Sequence, residues 1–259
     1  MPVLEGLWQW LRGEHSLAAI VIGEIRLPRT LLALAAGACL GLAGAALQGL
    51  LRNPLADPSL TGASQGAALG AAAVFYFGLF PALGGFATAL GGLAGALAAL
   101  GLVLWLAGAG NPSRVILAGL AVSTVAGASL AAVLTLAPNP YALQELVFWL
   151  MGSVADRGLE QLWVLLPALL LGSALLWWQR GLLHALSLGE DVAASLGFAV
   201  GRGSRWLVLG CGLLVGGSVA VAGGIGFVGL MVPHLLRPLV AHRADRLLLP
   251  SALAGSALV

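Results

Sequence analysis

Long apolar stretches without charge govern what this chain can become. Residues 63 to 80, 81 to 107, 115 to 137, 162 to 178 and 206 to 232 contain no Asp, Glu, Lys or Arg, and 27 to 51 carries Arg29 alone. Each is long enough, or nearly so, to cross a hydrocarbon core of about 30 Å at about 1.5 Å per residue. With 60% hydrophobic and 8% charged side chains over 259 residues, the chain has too few charges to cover a water-soluble globule of its size. Backbone amides in lipid must be satisfied within their own segment. A Leu/Ala/Gly-rich composition without alternation therefore favours helices over a barrel. The expected fold class is all-α, a polytopic transmembrane helix bundle. Its eight expected spans lie at about 27–50, 63–80, 84–107, 114–137, 160–178, 204–222, 225–238 and from 247 onward.

Between the spans lie polar breaks rich in Pro, Asn and Asp: RNPLADPS at 52–59, GNPSR at 110–114 and APNPY at 137–141. Residues 1–24 are too polar to span, yet Leu4, Leu7, Trp8 and Leu11 share a helical face, which predicts an interfacial segment. No basic stretch precedes a clean apolar run there, so a signal peptide is not indicated. The short amphipathic segment 143–153 is expected to lie along one membrane face. Thirty-eight glycines would destabilise soluble helices, but in lipid small residues let backbones approach. Gly37, Gly41, Ala45 and Gly49 form one ridge at four-residue steps; Gly62, Gly66 and Gly70 form another.

All twelve basic residues are arginine, which excludes a phosphate-loop lysine and Schiff-base chemistry on this chain. Cys39 and Cys211 sit inside apolar spans and read as small buried hydrophobes, with neither a disulfide nor a metal site indicated. The net charge of +2 carries no message about nucleic acid. Arginine placement gives an orientation. One set of alternate loops holds Arg52, Arg114, Arg180, Arg202, Arg205, Arg237, Arg243 and Arg246, and the other only Arg12, Arg26, Arg29 and Arg157. The richer set is expected to be cytoplasmic. That places the loop 179–203 inside the cell, where a soluble partner would dock. A faint echo between the segments starting at Arg29 and Arg205 would form an inverted repeat.

Three longer segments go beyond composition: RLPRTLLALAAGACLGLAGAALQGLLRNPLADPSLTGASQGAALG at 26–70, SLGEDVAASLG at 187–197 and VAGGIGFVGLMVPHLLR at 221–237. In this order and spacing they resemble the hallmark segments of the FecCD permease family, the membrane subunits of type II ABC importers for siderophores, haem and cobalamin. The resemblance covers essentially the whole chain. It implies a ten-helix architecture, so residues 1–259 are expected to form one permease domain truncated at both ends. It also implies an inner-membrane location, a homodimer of permease subunits, a cytoplasmic ABC ATPase, and a periplasmic or lipoprotein substrate-binding protein.

Candidate residues follow. Arg26 and Arg29, three apart on one helical face at the outer mouth, could pair with carboxylates of the binding protein or snorkel to headgroups. Asn53, Pro54 and Leu55, with Asp57, form a break in which prolines fix the backbone and the two polar side chains can bond freed amides. The resemblance makes this turn the cytoplasmic gate; the alternative is a purely structural turn. Gly189, Glu190, Asp191, Ala194 and Gly197 are implied to form the helix coupling to the ATPase, against a solvated loop. Gly226, Gly229 and Pro233, with Gly37 and Gly41, are read as helix-packing positions. His234 reads either as a substrate ligand or proton carrier, or as a structural hydrogen bonder to a neighbouring backbone.

The function expected is a non-enzymatic permease subunit that carries iron chelates, siderophore or haem, with no cofactor held. A cobalamin importer is the nearest alternative. Two others belong to different classes. An ATP-independent transporter would need no ATPase, and an intramembrane serine protease would use Ser64, because GASQG at 62–66 matches the G-x-S-x-G pattern.

Overall fold

The computed structural model describes residues 3–14, 16–83, 85–108, 112–136, 144, 147–155 and 157–259. Of the expected 143–153 element, residues 144 and 147–153 are among them, helical at 144 and 147–150. Helix α1 (Val3–Leu11) is followed by α2 (Leu17–Ile20), a π-helical stretch Val21–Arg26 and α3 (Leu27–Leu51). A 3-10 turn, Pro58–Thr61, leads into α4 (Ala63–Tyr76). Then come α5 (Gly85–Ala107), α6 (Pro112–Thr135) and α7 (Leu162–Trp178). Two short helices, α8 (Arg180–Leu186) and α9 (Glu190–Ser195), precede α10 (Val200–Ala222), α11 (Val228–Leu236) and α12 (Ala244–Leu258).

Among the described residues, five helices are long and apolar enough to cross a membrane: Leu17–Leu51, Phe86–Ala107, Ser113–Thr135, Leu159–Trp178 and Val200–Ala222. The segments expected at 63–80, 225–238 and from 247 are also helical, but shorter. The first span differs most from expectation, since its helix begins at Leu17. Ser16 accepts a hydrogen bond from the Ala19 N–H (3.1 Å) and so caps this extension. The π stretch lies just before Pro28, whose missing N–H would interrupt the ladder. At 35 residues the run is about 52 Å long, well beyond the hydrocarbon thickness.

Two spans are enclosed by the others. The most apolar window of Leu17–Leu51 is 72% buried and that of Val200–Ala222 is 78%, against 33% for the other three, so α3 and α10 form the axis and α5, α6 and α7 the lipid-facing wall. Every residue from Cys39 to Leu50 is buried. The packing is backbone against backbone. A Cβ built on Gly37 would stand on the Gly255 carbonyl, one on Gly41 on the Ser251 carbonyl, and one on Gly44 on the Gly229 carbonyl, so α12 and α11 lie directly against α3. The second ridge does the same between α4 and α5, with Gly66 facing Gly95 and Gly70 facing Gly91. Such contacts supply dispersion where no hydrophobic drive operates between helices.

Gly41→Leu should therefore force α3 and α12 apart and lower the thermal unfolding midpoint in detergent, at a cost of about 1–3 kcal/mol or more. Gly101→Ala, at a glycine with open space around it, should leave the midpoint within experimental scatter.

Candidate functional site at the end of the central helix

The end of α3 is closed by its own backbone. Arg52 N–H donates to the Gly49 carbonyl (3.3 Å) and Asn53 N–H to the Gln48 carbonyl (3.2 Å), with Arg52 left-handed at φ 50. This is the Schellman arrangement usually completed by glycine. The chain then turns twice on side chains. Leu55 N–H donates to Asn53 Oδ1 (2.9 Å) and Ser59 N–H to Asp57 Oδ1 (2.8 Å), the bonds to freed amides that the sequence predicts. Leu55, at the tip, is 65% exposed, whereas Ala56 and Pro58 beside it are buried. The Pro58 ring occupies the space left by the absent side chain of Gly229, and the Leu60 carbonyl lies against Gly119 of α6. The turn is thus wedged between α6 and α11, with one apolar side chain projecting.

Helix α9 is a short helix of six residues bounded by glycines. Gly189 enters it at φ 119, and Gly197 leaves it at φ 88 with its N–H on the Ala194 carbonyl (2.9 Å), while Phe198 N–H reaches the Ala193 carbonyl (3.1 Å). Both glycines stand where an L side chain is strained. Ala193 is buried, and Asp191 and Ala194 are exposed. Arg52 Nη2 stands 3.7 Å from Glu190 Oε1. This pair joins the turn after α3 to the start of α9, two segments 138 positions apart.

Beneath this pair, the buried Gln48 donates from Nε2 to the Leu230 carbonyl (3.0 Å) and accepts from Arg237 Nη2 (2.8 Å). One amide therefore pins α3 to both ends of α11. Sequence reasoning missed Gln48; the available signal was a lone amide inside an apolar span. On the other side of α8, Arg243 grips Asp245 through Nε (3.2 Å) and Nη2 (2.8 Å), and His184 Nδ1 lies 3.5 Å from the same carboxylate. Burial acts to raise the Asp245 pKa, but the hydrogen bonds and charge of Arg243, aided by His184 when protonated, hold it below the usual carboxylate value.

The remaining candidates lie elsewhere. Arg26 and Arg29 are exposed, 26 and 23 residues or about 39 and 35 Å up the helix from Arg52. Pro233 is buried within α11 and His234 is exposed. Among the described residues, nothing lies within 4 Å of a Cβ built on Gly226. Ser64 lines a cavity of about 180 Å³ with Asp57, Ser59 and the 224–227 turn, and no histidine is among its lining residues. No described lining residue there offers a serine nucleophile a histidine base. Cys39 and Cys211 are buried and unpaired, and Cys211 Sγ contacts the Ala43 carbonyl at 3.6 Å.

A bundle of apolar, membrane-length helices around two buried ones, with a short helix joined to the end of its axis, has the architecture of a polytopic membrane protein. The FecCD transport family pattern matches residues 3–259. The haemin transport system permease protein HmuU of Yersinia pestis is 42% identical over 243 residues, covering 90% of this chain and 71% of that protein. YvrB of Bacillus subtilis, an uncharacterised ABC transporter permease protein, is 39% identical over 241 residues, covering 91% and 68%. A solved structure of an inward-facing ABC transporter, described as being of the metal-chelate type, superposes with a TM-score of 0.80 at 31% identity, over 99% of this chain and 84% of that one. The chain belongs to the FecCD transport family. It is a non-catalytic permease subunit of a type II ABC importer and a multi-pass protein of the inner membrane.

Two outcomes test this geometry. Gln48→Leu, which leaves the Arg237 guanidinium and the Leu230 carbonyl without their partner, should destabilise the bundle by about 1–3 kcal/mol, read as a lower unfolding midpoint in nanodiscs. Because the Asp245 pKa is lower folded than unfolded, its contribution is complete above the unfolded carboxylate range and lost as pH falls through the folded value. Asp245→Asn should lower the midpoint at neutral pH, and the gap from the parent should close below about pH 4. A gap that persists at low pH would assign the loss to packing.

Proposed function

We propose that this permease carries iron chelates, siderophore or haem, as a homodimer driven by a separate ABC ATPase and loaded by a periplasmic or lipoprotein substrate-binding protein. The single observation that carries the mechanism is the Arg52–Glu190 pair, which ties the turn bearing Asn53, Pro54 and Leu55 to the start of α9. In this reading α9, through Glu190, Asp191 and Ala194, is the coupling helix seated in a groove of the ATPase. Closure of the ATPase displaces α9, and the charge pair passes that displacement to the turn, where the projecting Leu55 opens or blocks the cytoplasmic end of the pathway. Gly189 and Gly197 keep α9 rigid enough to transmit it. The loaded binding protein docks at the opposite end, where the exposed Arg26 and Arg29 present guanidinium groups suited to carboxylates.

The iron-chelate cargo draws support from the haemin permease and from the metal-chelate description of the solved transporter. Cobalamin is the second reading, favoured by cobalamin import permeases at 37% and 38% identity over 95% and 98% of this chain. A macrocycle of either kind suits an apolar route, with selection left to the binding protein.

Proteoliposomes holding the permease, its ATPase and its binding protein should take up one of ferric siderophore, haem or cobalamin in an ATP-dependent manner. Glu190→Arg or Arg52→Glu alone should cut that uptake by about 5- to 10-fold, and the combined exchange should recover part of it. Uptake that ignores ATP, or that neither single reversal alters, would contradict the proposal.

A further inference from the structure

We infer that the groove between the end of α7, α8 and the start of α12 is a binding site for an anionic phospholipid. It is a cavity of about 670 Å³, separate from the turn after α3, and it opens at the arginine-rich end of the bundle. Its walls divide by chemistry. Trp177, Trp178, Leu249 and Pro250 supply an apolar side, and Arg180, His184 and Arg246 a polar one.

Three features make this more than a chance hollow. First, its charge is positive where it counts. The only carboxylate lining it, Asp245, is already engaged by Arg243 and His184, while neither Arg180 nor Arg246 has an ion-pair partner among the described residues. Second, the aromatic wall is held in place. Trp178 packs on Trp206 of α10 with ring centroids 5.9 Å apart, and the Arg180 guanidinium sits 5.4 Å over the Trp177 ring. Third, the position suits an interfacial ligand. Tryptophans at the end of an apolar span mark the headgroup level. The arginine-rich side faces the leaflet that is rich in anionic lipid. A phosphodiester between Arg180 and Arg246 would complete charges that the chain leaves open, with an acyl chain lying along Trp177 and Leu249. The occupant is a lipid and not a soluble phosphate, because Trp177, Trp178 and Leu249 give the groove an exposed apolar wall.

The full chain can be reconstituted in nanodiscs of phosphatidylcholine alone or with phosphatidylglycerol, and its unfolding midpoint read in each. Phosphatidylglycerol should raise the midpoint of the parent. The variant Arg180→Gln with Arg246→Gln should lose most of that rise while matching the parent in phosphatidylcholine, and the double change to lysine should keep it. Arg202→Gln, at an exposed arginine outside the groove, should respond like the parent. Native mass spectrometry after delipidation should show phosphatidylglycerol retained by the parent and not by the double glutamine variant. The proposal is overturned if that variant keeps the full rise, if Arg202→Gln loses as much of it, or if inorganic phosphate in phosphatidylcholine discs reproduces the rise.

Discussion

Close contact between helix backbones along α3 is the constraint on which the rest of this structure depends. In lipid, an apolar side chain gains little by leaving its solvent for another helix, so association must come from dispersion at short range and from buried polar groups. Glycines on α3 meet that demand in sequence, with Gly37 and Gly41 against α12 and Gly44 against α11. Because α3 touches its neighbours through main chain, its position is set by backbone geometry, and any movement of α11 or α12 must be accommodated at these contacts. The axis helix is thereby a stiff element, suited to holding its terminal turn in register.

Polar chemistry is confined to the end of that stiff element. Gln48 and Arg237 lock α3 to α11 inside the bundle, and Arg52 reaches outward to Glu190. The two links differ in kind. The Gln48 amide is buried and would leave unpaired groups if broken, whereas Arg52 and Glu190 are half exposed and their attraction is screened. An arrangement with a firm inner anchor and a soft outer tie fits a moving part: the turn stays seated on Gly229 and Gly119 while its tip responds to α9.

Much of this was legible in the chain. The spans followed from charge-free runs, the glycine ridges from four-residue spacing, and the side-chain turns at Asn53 and Asp57 from proline and Asx chemistry. What escaped is long-range or compensatory. Nothing local announces that Arg52 and Glu190 meet, since each sits in a polar stretch with several other possible partners. Gln48 was passed over because one amide barely alters the hydropathy of its span. The start of the first helix was misplaced because Glu24 and Arg26 ended the apolar window, although Ser16 caps a helix ten residues earlier. Gly226 differs from the other packing candidates, since a Cβ built on it meets nothing within 4 Å among the described residues.

If the Arg52–Glu190 pair couples them, the turn after α3 and helix α9 move as one body. Spin labels at Leu55 and Ala194, both exposed, can be placed on the permease assembled with its ATPase, and their separation measured by pulsed electron resonance with the nucleotide sites empty and ATP-trapped. One narrow Leu55–Ala194 distance is expected in both states, with a change instead between the Leu55 labels of the two subunits of the proposed homodimer. A Leu55–Ala194 distance that shifts on ATP binding while the Leu55–Leu55 distance stays fixed would contradict the coupling.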